Sequence, residues 1–128
     1  MTEVGQVQQF MGATLANSGF ALEAVDSTIT YLGRPAWAVY YRGADCKLQI
    51  CWSSREGGID FMLAPLDAPN EFGLINRSKK WQFMLALSDL NDDLVTPPVD
   101  APPDIWWAWR IALFNVHIET ARSVLHGK

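Results

Sequence analysis

The stretch AWAVYYRGADCKLQICWS, residues 36–53, decides the fold. It contains two runs of β-branched and aromatic residues separated by the turn-forming residues GADC. One antiparallel register brings three apolar pairs onto one face: Val39 with Ile50, Tyr41 with Leu48, and Trp37 with Trp52. A slip of one residue would instead set these side chains against Gln49 and Cys51. The sequence therefore predicts a hairpin with the first register.

The same pattern continues on both sides of this hairpin. GIDFMLA, residues 58–64, predicts a further strand, and STITYL, residues 27–32, predicts a preceding one. The third strand then opposes three more apolar pairs: Ile50 with Phe61, Trp52 with Ile59, and Leu48 with Leu63. The opposite face carries mixed residues and is expected to be at least half solvated: Arg42, Lys47, Gln49, Asp60, Tyr40 and Met62.

Helical periodicity appears at the two ends of the chain. Residues 3–16 predict a helix that ends before Gly19, and residues 105–126 predict a long helix capped by Asp104. Residues 79–88 are compatible with strand or helix; their composition favours a helix capped by Ser78. The loop before them, 66–77, has room for a short strand at 73–76. The expected fold is one α+β domain: an N-terminal helix, an antiparallel meander of four or five strands, a short helix and a long C-terminal helix packed on the sheet.

Composition and charge exclude several classes of function. The 128 residues carry 14 acidic and 10 basic side chains, a net charge of −4, which disfavours binding to a nucleic-acid backbone. The most apolar stretch, 105–118, includes Arg110 and His117 and is shorter than the ~20 residues of a membrane span. No signal-peptide pattern opens the chain, and Cys46 and Cys51 are expected to be free thiols, so a cytoplasmic location is predicted.

An acidic run gives the chain its main charge asymmetry. Asp89, Asp92 and Asp93 precede a segment with four prolines, and this segment predicts an extended surface connector. The spacing of these acids does not fit a calcium loop. The alternatives are a solvated loop and an acidic patch that docks a basic protein. In the second case, the predicted contact residues are Asp89, Asp92 and Asp93 together with Asp67 and Glu71 of the other loop.

The start of the last helix, DIWWAWR at 104–110, offers a second candidate site. Trp107 belongs to the predicted core, whereas Trp106, Trp109, Arg110 and His117 could form a polar and aromatic pocket. The structural alternative is an ion pair between Arg110 and one of the three connector aspartates. Catalytic, metal and cofactor motifs are not evident, because two histidines and two distant cysteines match no ligand or nucleophile spacing. A non-catalytic protein without a cofactor is therefore predicted.

In element order, size, tryptophan content and acidity, the chain resembles small bacterial immunity-type proteins. The resemblance implies a cytoplasmic, non-catalytic domain that binds and occludes a cognate toxin domain. The functional prediction is accordingly a module for a basic protein partner, present as a monomer or a weak homodimer. Two alternatives stay open at this level: a small-ligand or enzymatic domain that uses the Trp/Arg/His pocket, and a secretion or assembly chaperone.

Overall fold

In the part of the chain that the computed structural model describes, residues 3–54, 57–74 and 76–127, five strands form one antiparallel sheet in chain order. The strands are β1 (Ala21–Tyr31), β2 (Arg34–Arg42), β3 (Lys47–Ser53), β4 (Ile59–Ala64) and β5 (Gln82–Phe83). The helices are α1 (Glu3–Asn17), α2 (Met84–Ser88) and α3 (Pro103–His126). The predicted α+β class and element order are confirmed.

The predicted register of the central strands is confirmed for all six pairs. Val39 lies opposite Ile50, and Ile50 lies opposite Phe61, so one apolar row crosses β2, β3 and β4. Helices α1 and α3 pack on this face, where Met11, Leu15, Trp107 and Phe114 are buried. The Trp107 ring stacks on Phe10 with centroids 5.9 Å apart. Burying one face under two helices is the arrangement that the alternating pattern requires.

The other face of the sheet corrects the sequence prediction, because it is not half solvated. Lys47, Gln49, Tyr40 and Met62 are all buried there under residues 65–81, while Arg42 and Asp60 are exposed. The covering loop supplies Trp81, whose indole nitrogen donates to the carbonyl oxygen of Pro69 at 2.9 Å. Polar side chains can be buried here because the loop satisfies their hydrogen bonds.

Several local predictions were also wrong. β1 begins at Ala21, six residues before the predicted start, and residues 73, 74 and 76 form bends instead of a strand. Residue 75 of that predicted strand lies outside the described residues. Residues 79–88 contain both candidate structures, since β5 runs directly into α2. Neither predicted side-chain cap forms: Phe83 precedes α2, and Pro102 precedes α3, with Asp104 in the first turn.

Candidate functional site

Residues 89–102, here called the connector, join α2 to α3 without helix or strand. The connector is fixed at its start by His117, a 2% exposed side chain in the middle of α3. His117 Nε2 lies 2.7 Å from Asp92 Oδ2, and Nδ1 lies 2.6 Å from Ser88 Oγ. This three-residue arrangement, the His117 clamp, ties α2, the connector and α3 together.

The His117 clamp has the residue types of a hydrolase triad but not its accessibility. A neutral imidazole that donates from Nε2 to Asp92 accepts from the Ser88 hydroxyl at Nδ1, an assignment made from the hydrogen-bond geometry. The hydrogen bond from His117, helped by the backbone N–H of Leu94, lowers the pKa of Asp92. Ser88 is 5% exposed and its hydroxyl is buried, so no substrate reaches it. The geometry supports a structural role.

Beyond the clamp, the connector presents acidic and apolar side chains to solvent. Asp89, Asp93 and Asp100 are exposed, and none of them forms an ion pair within residues 3–54, 57–74 and 76–127. Between them, Val95 is 85% exposed and Val99 is 96% exposed. Proline at 97 and 98 stiffens this part of the segment. The result is an extended segment that presents acidic and apolar side chains to solvent.

The five predicted partner-contact residues do not form one surface. Asp89, Asp92 and Asp93 lie beside α3, whereas Asp67 and Glu71 belong to the loop that covers the opposite face of the sheet. The carboxylate of Asp67 pairs with Lys80 at 2.7 Å, and that hydrogen bond lowers the pKa of Asp67. Glu71 accepts from the backbone N–H of Ser78 at 3.1 Å and its pKa is also lowered by hydrogen bonding to Ser78. Both carboxylates stabilise their own loop.

The predicted aromatic pocket exists in part. Trp106, Trp109 and Arg110 line a cleft of about 670 Å³ together with Val99 of the connector. The two indole rings meet edge to face at 5.8 Å, and the Arg110 guanidinium lies 4.8 Å from the Trp107 ring centroid. His117 does not line this cleft. The predicted ion pair from Arg110 to a connector aspartate does not form, because Asp92 binds His117 instead, and Asp89 and Asp93 form none within the described chain.

No local sequence pattern indicates the burial of Lys47 and Gln49 on the second sheet face. Lys47 pairs with Glu23 at 2.8 Å and donates to the carbonyl of Ala68 at 3.0 Å. Hydrogen bonds from Lys47, and then from Arg42, lower the pKa of Glu23 to about 2. The two contacts of Lys47 join residues more than twenty positions apart, which no local pattern encodes. They hold the loop in place on the second sheet face. The connector, by contrast, has exposed carboxylates beside α3.

Neither a metal centre nor a membrane helix is present in the described part of the chain. Across its three segments, no group of three or more His, Cys, Asp or Glu side chains could hold a metal ion. Of the three helices found there, none is both long and apolar enough to cross a membrane. Comparison of the chain with protein-family models, with curated proteins and with solved structures found no match.

Proposed function

We propose that the protein is a non-catalytic binding module that docks a basic protein partner on the connector and occludes it, as an immunity or inhibitor protein does. The observation that carries this proposal is the exposure of Val95 and Val99, at 85% and 96%, between the carboxylates of Asp93 and Asp100. An exposed apolar patch that is bordered by polar residues often marks a protein-binding site, and Val99 adjoins the side chains of Trp106 and Trp109. The flanking carboxylates select a partner of opposite charge.

Two further contacts support the connector as the docking segment. The His117 clamp fixes its first residues, so less conformational entropy is lost when a partner binds. At its other end, Val99 borders the cleft of Trp106 and Trp109. Aromatic side chains in such a position are the residues that most often dominate binding energy at interfaces. A partner that covers Val99 therefore also reaches the two tryptophans.

The test is a pull-down from the native source with three immobilised baits: the wild-type protein, Asp89→Lys/Asp93→Lys, and the control Asp26→Lys/Glu119→Lys. Both double variants change the net charge equally, but Asp26 lies on β1, and Glu119 lies on α3 where it lines a cleft with Asp45 and Arg122. The partner, identified by mass spectrometry and purified, is then titrated by calorimetry. We expect a basic protein whose affinity falls at least tenfold for the connector variant and less than threefold for the control.

Equal affinity of both variants would show that only overall charge attracts the partner. A partner that is itself acidic, or binding that is unaffected by salt, would also contradict the proposal, because charge complementarity is screened by ions. Asp67 and Glu71 are left out of the connector variant because their carboxylates stabilise a loop on the opposite side of the sheet.

A small-ligand site is a second candidate function, favoured by the cleft that brings Trp106, Trp109 and Arg110 together. Gly58 lines this cleft, and a Cβ added there would meet nothing within 4 Å. Gly58→Leu is therefore expected to fill the cleft without distorting the backbone. A small molecule that shifts the tryptophan fluorescence of the wild-type protein but not of Gly58→Leu would support this function. A molecule that shifts both equally would place its binding elsewhere.

A further inference from the structure

The middle of the connector, residues 94–98, has an extended backbone that leads into a turn. The amide of Ala101 donates to the carbonyl of Pro98 at 2.9 Å, so residues 98–101 form a β-turn with Val99 near its tip. Before this turn, residues 91–98 belong to no helix, strand or turn. Within the described chain, neither Val95 nor Thr96 forms a backbone hydrogen bond. An extended backbone without internal hydrogen bonds is typical of polyproline II.

The proline residues of the connector restrict its backbone toward the same conformation. The rings of Pro97 and Pro98 fix φ at about −65°. Thr96 and Pro97 each precede a proline, which disfavours the helical region for both residues. Beyond the turn, Pro102 has φ −67° and ψ 160°, which are polyproline II angles. Covalent geometry therefore directs residues 96–98 to polyproline II before any partner binds.

Burial along this segment follows a period of three residues. Leu94 and Pro97 are half-buried, whereas Val95, Thr96 and Pro98 are exposed. A polyproline II helix has three residues per turn, so residues three apart share one of its three edges. The edge of Leu94 and Pro97 faces the domain, and the other two edges face solvent. A three-edged rod rests in a groove on two edges, and this segment leaves two edges free.

We propose that residues 94–98 are a polyproline II ligand, which the partner receives in a groove lined by aromatic side chains with basic residues beside it. This inference rests on the proposed function, because it names the kind of partner that the connector docks. Aromatic grooves bind such segments because the helix is formed in advance and little conformational entropy is lost. The ring of Pro98 and the side chain of Val95 supply apolar contacts. The exposed carboxylates of Asp93 and Asp100 flank the segment and attract the basic residues.

The other common docking modes of short segments do not suit these residues. Addition of a strand to the sheet of a partner requires backbone N–H donors, and Pro97 and Pro98 have none. Docking of a helix in a groove requires a helical segment, and residues 91–98 contain no helix. Polyproline II recognition depends on the edges of the helix and needs no N–H group from either proline.

The first arm of the test measures the free protein by NMR and needs no partner. We expect the backbone scalar couplings and carbon shifts of Val95 and Thr96 to be those of polyproline II. Their amide protons should exchange with water quickly, because neither has an acceptor within the described chain. Couplings and shifts of a helix, or the averaged values of an unfolded chain, would overturn the inference whether or not a partner binds.

The second arm titrates the protein captured on the wild-type bait with Pro97→Ala/Pro98→Ala, which keeps every carboxylate and valine of the connector. We expect about tenfold weaker binding, because the rings and the preformed backbone are lost. Pro98→Ala alone changes only an exposed residue and should weaken binding in the same direction. The matched control Pro35→Ala removes an exposed proline on β2 and should leave the affinity unchanged. Equal urea midpoints for the variants and the wild type show that the fold is intact.

The outcomes separate this inference from the proposed function. If Asp89→Lys/Asp93→Lys weakens binding and the proline variants do not, the connector docks the partner but not as polyproline II. If neither change weakens binding, both proposals fail. A synthetic oligoproline peptide should displace the connector from the partner, whereas a glycine–serine peptide of equal length should not, and equal behaviour of the two peptides would overturn the inference. Self-association of the wild-type protein that is lost in the proline variant would also overturn it, because the occupant would then be a second copy.

Discussion

His117 Nε2 lies 2.7 Å from Asp92 Oδ2, and this contact holds the start of the connector against α3. Because the same imidazole also accepts from Ser88, one buried ring satisfies polar groups from two other segments. The first residues of the connector can therefore be exposed yet have a defined position. Its carboxylates consequently fall into two groups: Asp92 has a structural role, while Asp89 and Asp93 are exposed to solvent.

His117→Ala is expected to lower the free energy of unfolding by about 2–4 kcal/mol, because it leaves the Ser88 hydroxyl buried without its partner and opens a cavity. Asp92→Asn should cost less, since an amide oxygen still accepts from Nε2. Urea denaturation measures both values, with the exposed Asp93→Asn as a control that stays within about 0.5 kcal/mol of the wild type. A loss below about 1 kcal/mol for His117→Ala would contradict a structural role of the His117 clamp.

The loop over the second sheet face depends on Gln49, which is fully buried. Its side chain donates to the Glu71 carbonyl at 2.9 Å and accepts from the Gly73 N–H at 2.9 Å. Gln49→Leu removes both bonds and leaves two backbone groups unpaired, so we expect a loss of about 2–3 kcal/mol. Limited proteolysis should cut residues 65–81 faster in this variant. Gln9→Leu, on the exposed side of α1, is the control, and equal cleavage of both variants would contradict the role of Gln49.

The contacts of His117 and Gln49 show what a local sequence pattern can and cannot predict. The register of β2, β3 and β4 was predictable because alternate apolar residues allow one pairing that places them on a single face. The burial of Lys47 and Gln49 was not, since each is polar and its partners lie 21 to 24 residues away. The contact of His117 with Ser88 likewise spans 29 residues. Helical spacing was enough to predict that Trp106 and Trp109 share a cleft. It did not predict that the side chain of His117 contacts Ser88 and Asp92 and does not line that cleft.

Stability at acidic pH should depend on Glu23. Its folded pKa of about 2 is below the ordinary value of 4.5, because Lys47 and Arg42 favour the carboxylate. The carboxylate therefore contributes fully above pH 4.5, and this contribution is lost as the pH falls from 4.5 toward 2. Glu23→Gln should be clearly less stable than the wild type at neutral pH, with the two curves converging as the pH falls through this window.

Urea unfolding at a series of pH values tests this expectation. Asp26→Asn on the same strand is the control, because Asp26 forms no ion pair within residues 3–54, 57–74 and 76–127. The free energy of unfolding of this variant should change with pH as that of the wild type does. A constant difference between Glu23→Gln and the wild type at every pH would mean that the charge of Glu23 is not what stabilises the fold.

Arg122 joins the end of α3 to two other segments. It pairs with Asp45 of the β2–β3 turn, donates to the Ser18 carbonyl at 2.9 Å and stacks over Phe20 at 4.7 Å. Arg122→Lys keeps the charge but loses the planar guanidinium that makes these contacts together, so we expect a loss of about 1–2 kcal/mol. The control in thermal denaturation is Arg34→Lys, because Arg34 is an exposed residue at the start of β2. Equal melting temperatures for the two variants would contradict this role of Arg122.

Val95 and Val99 should contribute to partner binding without contributing to stability. At 85% and 96% exposure they bury almost no surface in the free protein, so Val95→Ser/Val99→Ser should change the free energy of unfolding by less than about 0.5 kcal/mol. If the connector docks the partner, the same variant should bind it about tenfold more weakly, because two apolar contacts lose their burial. Val25→Ser is the control, because Val25 on β1 is 49% exposed, and this variant should change binding little. Unchanged affinity of the double variant would show that the connector is not part of the interface. This would hold even if the charge variants had an effect, because carboxylates can attract a partner at a distance.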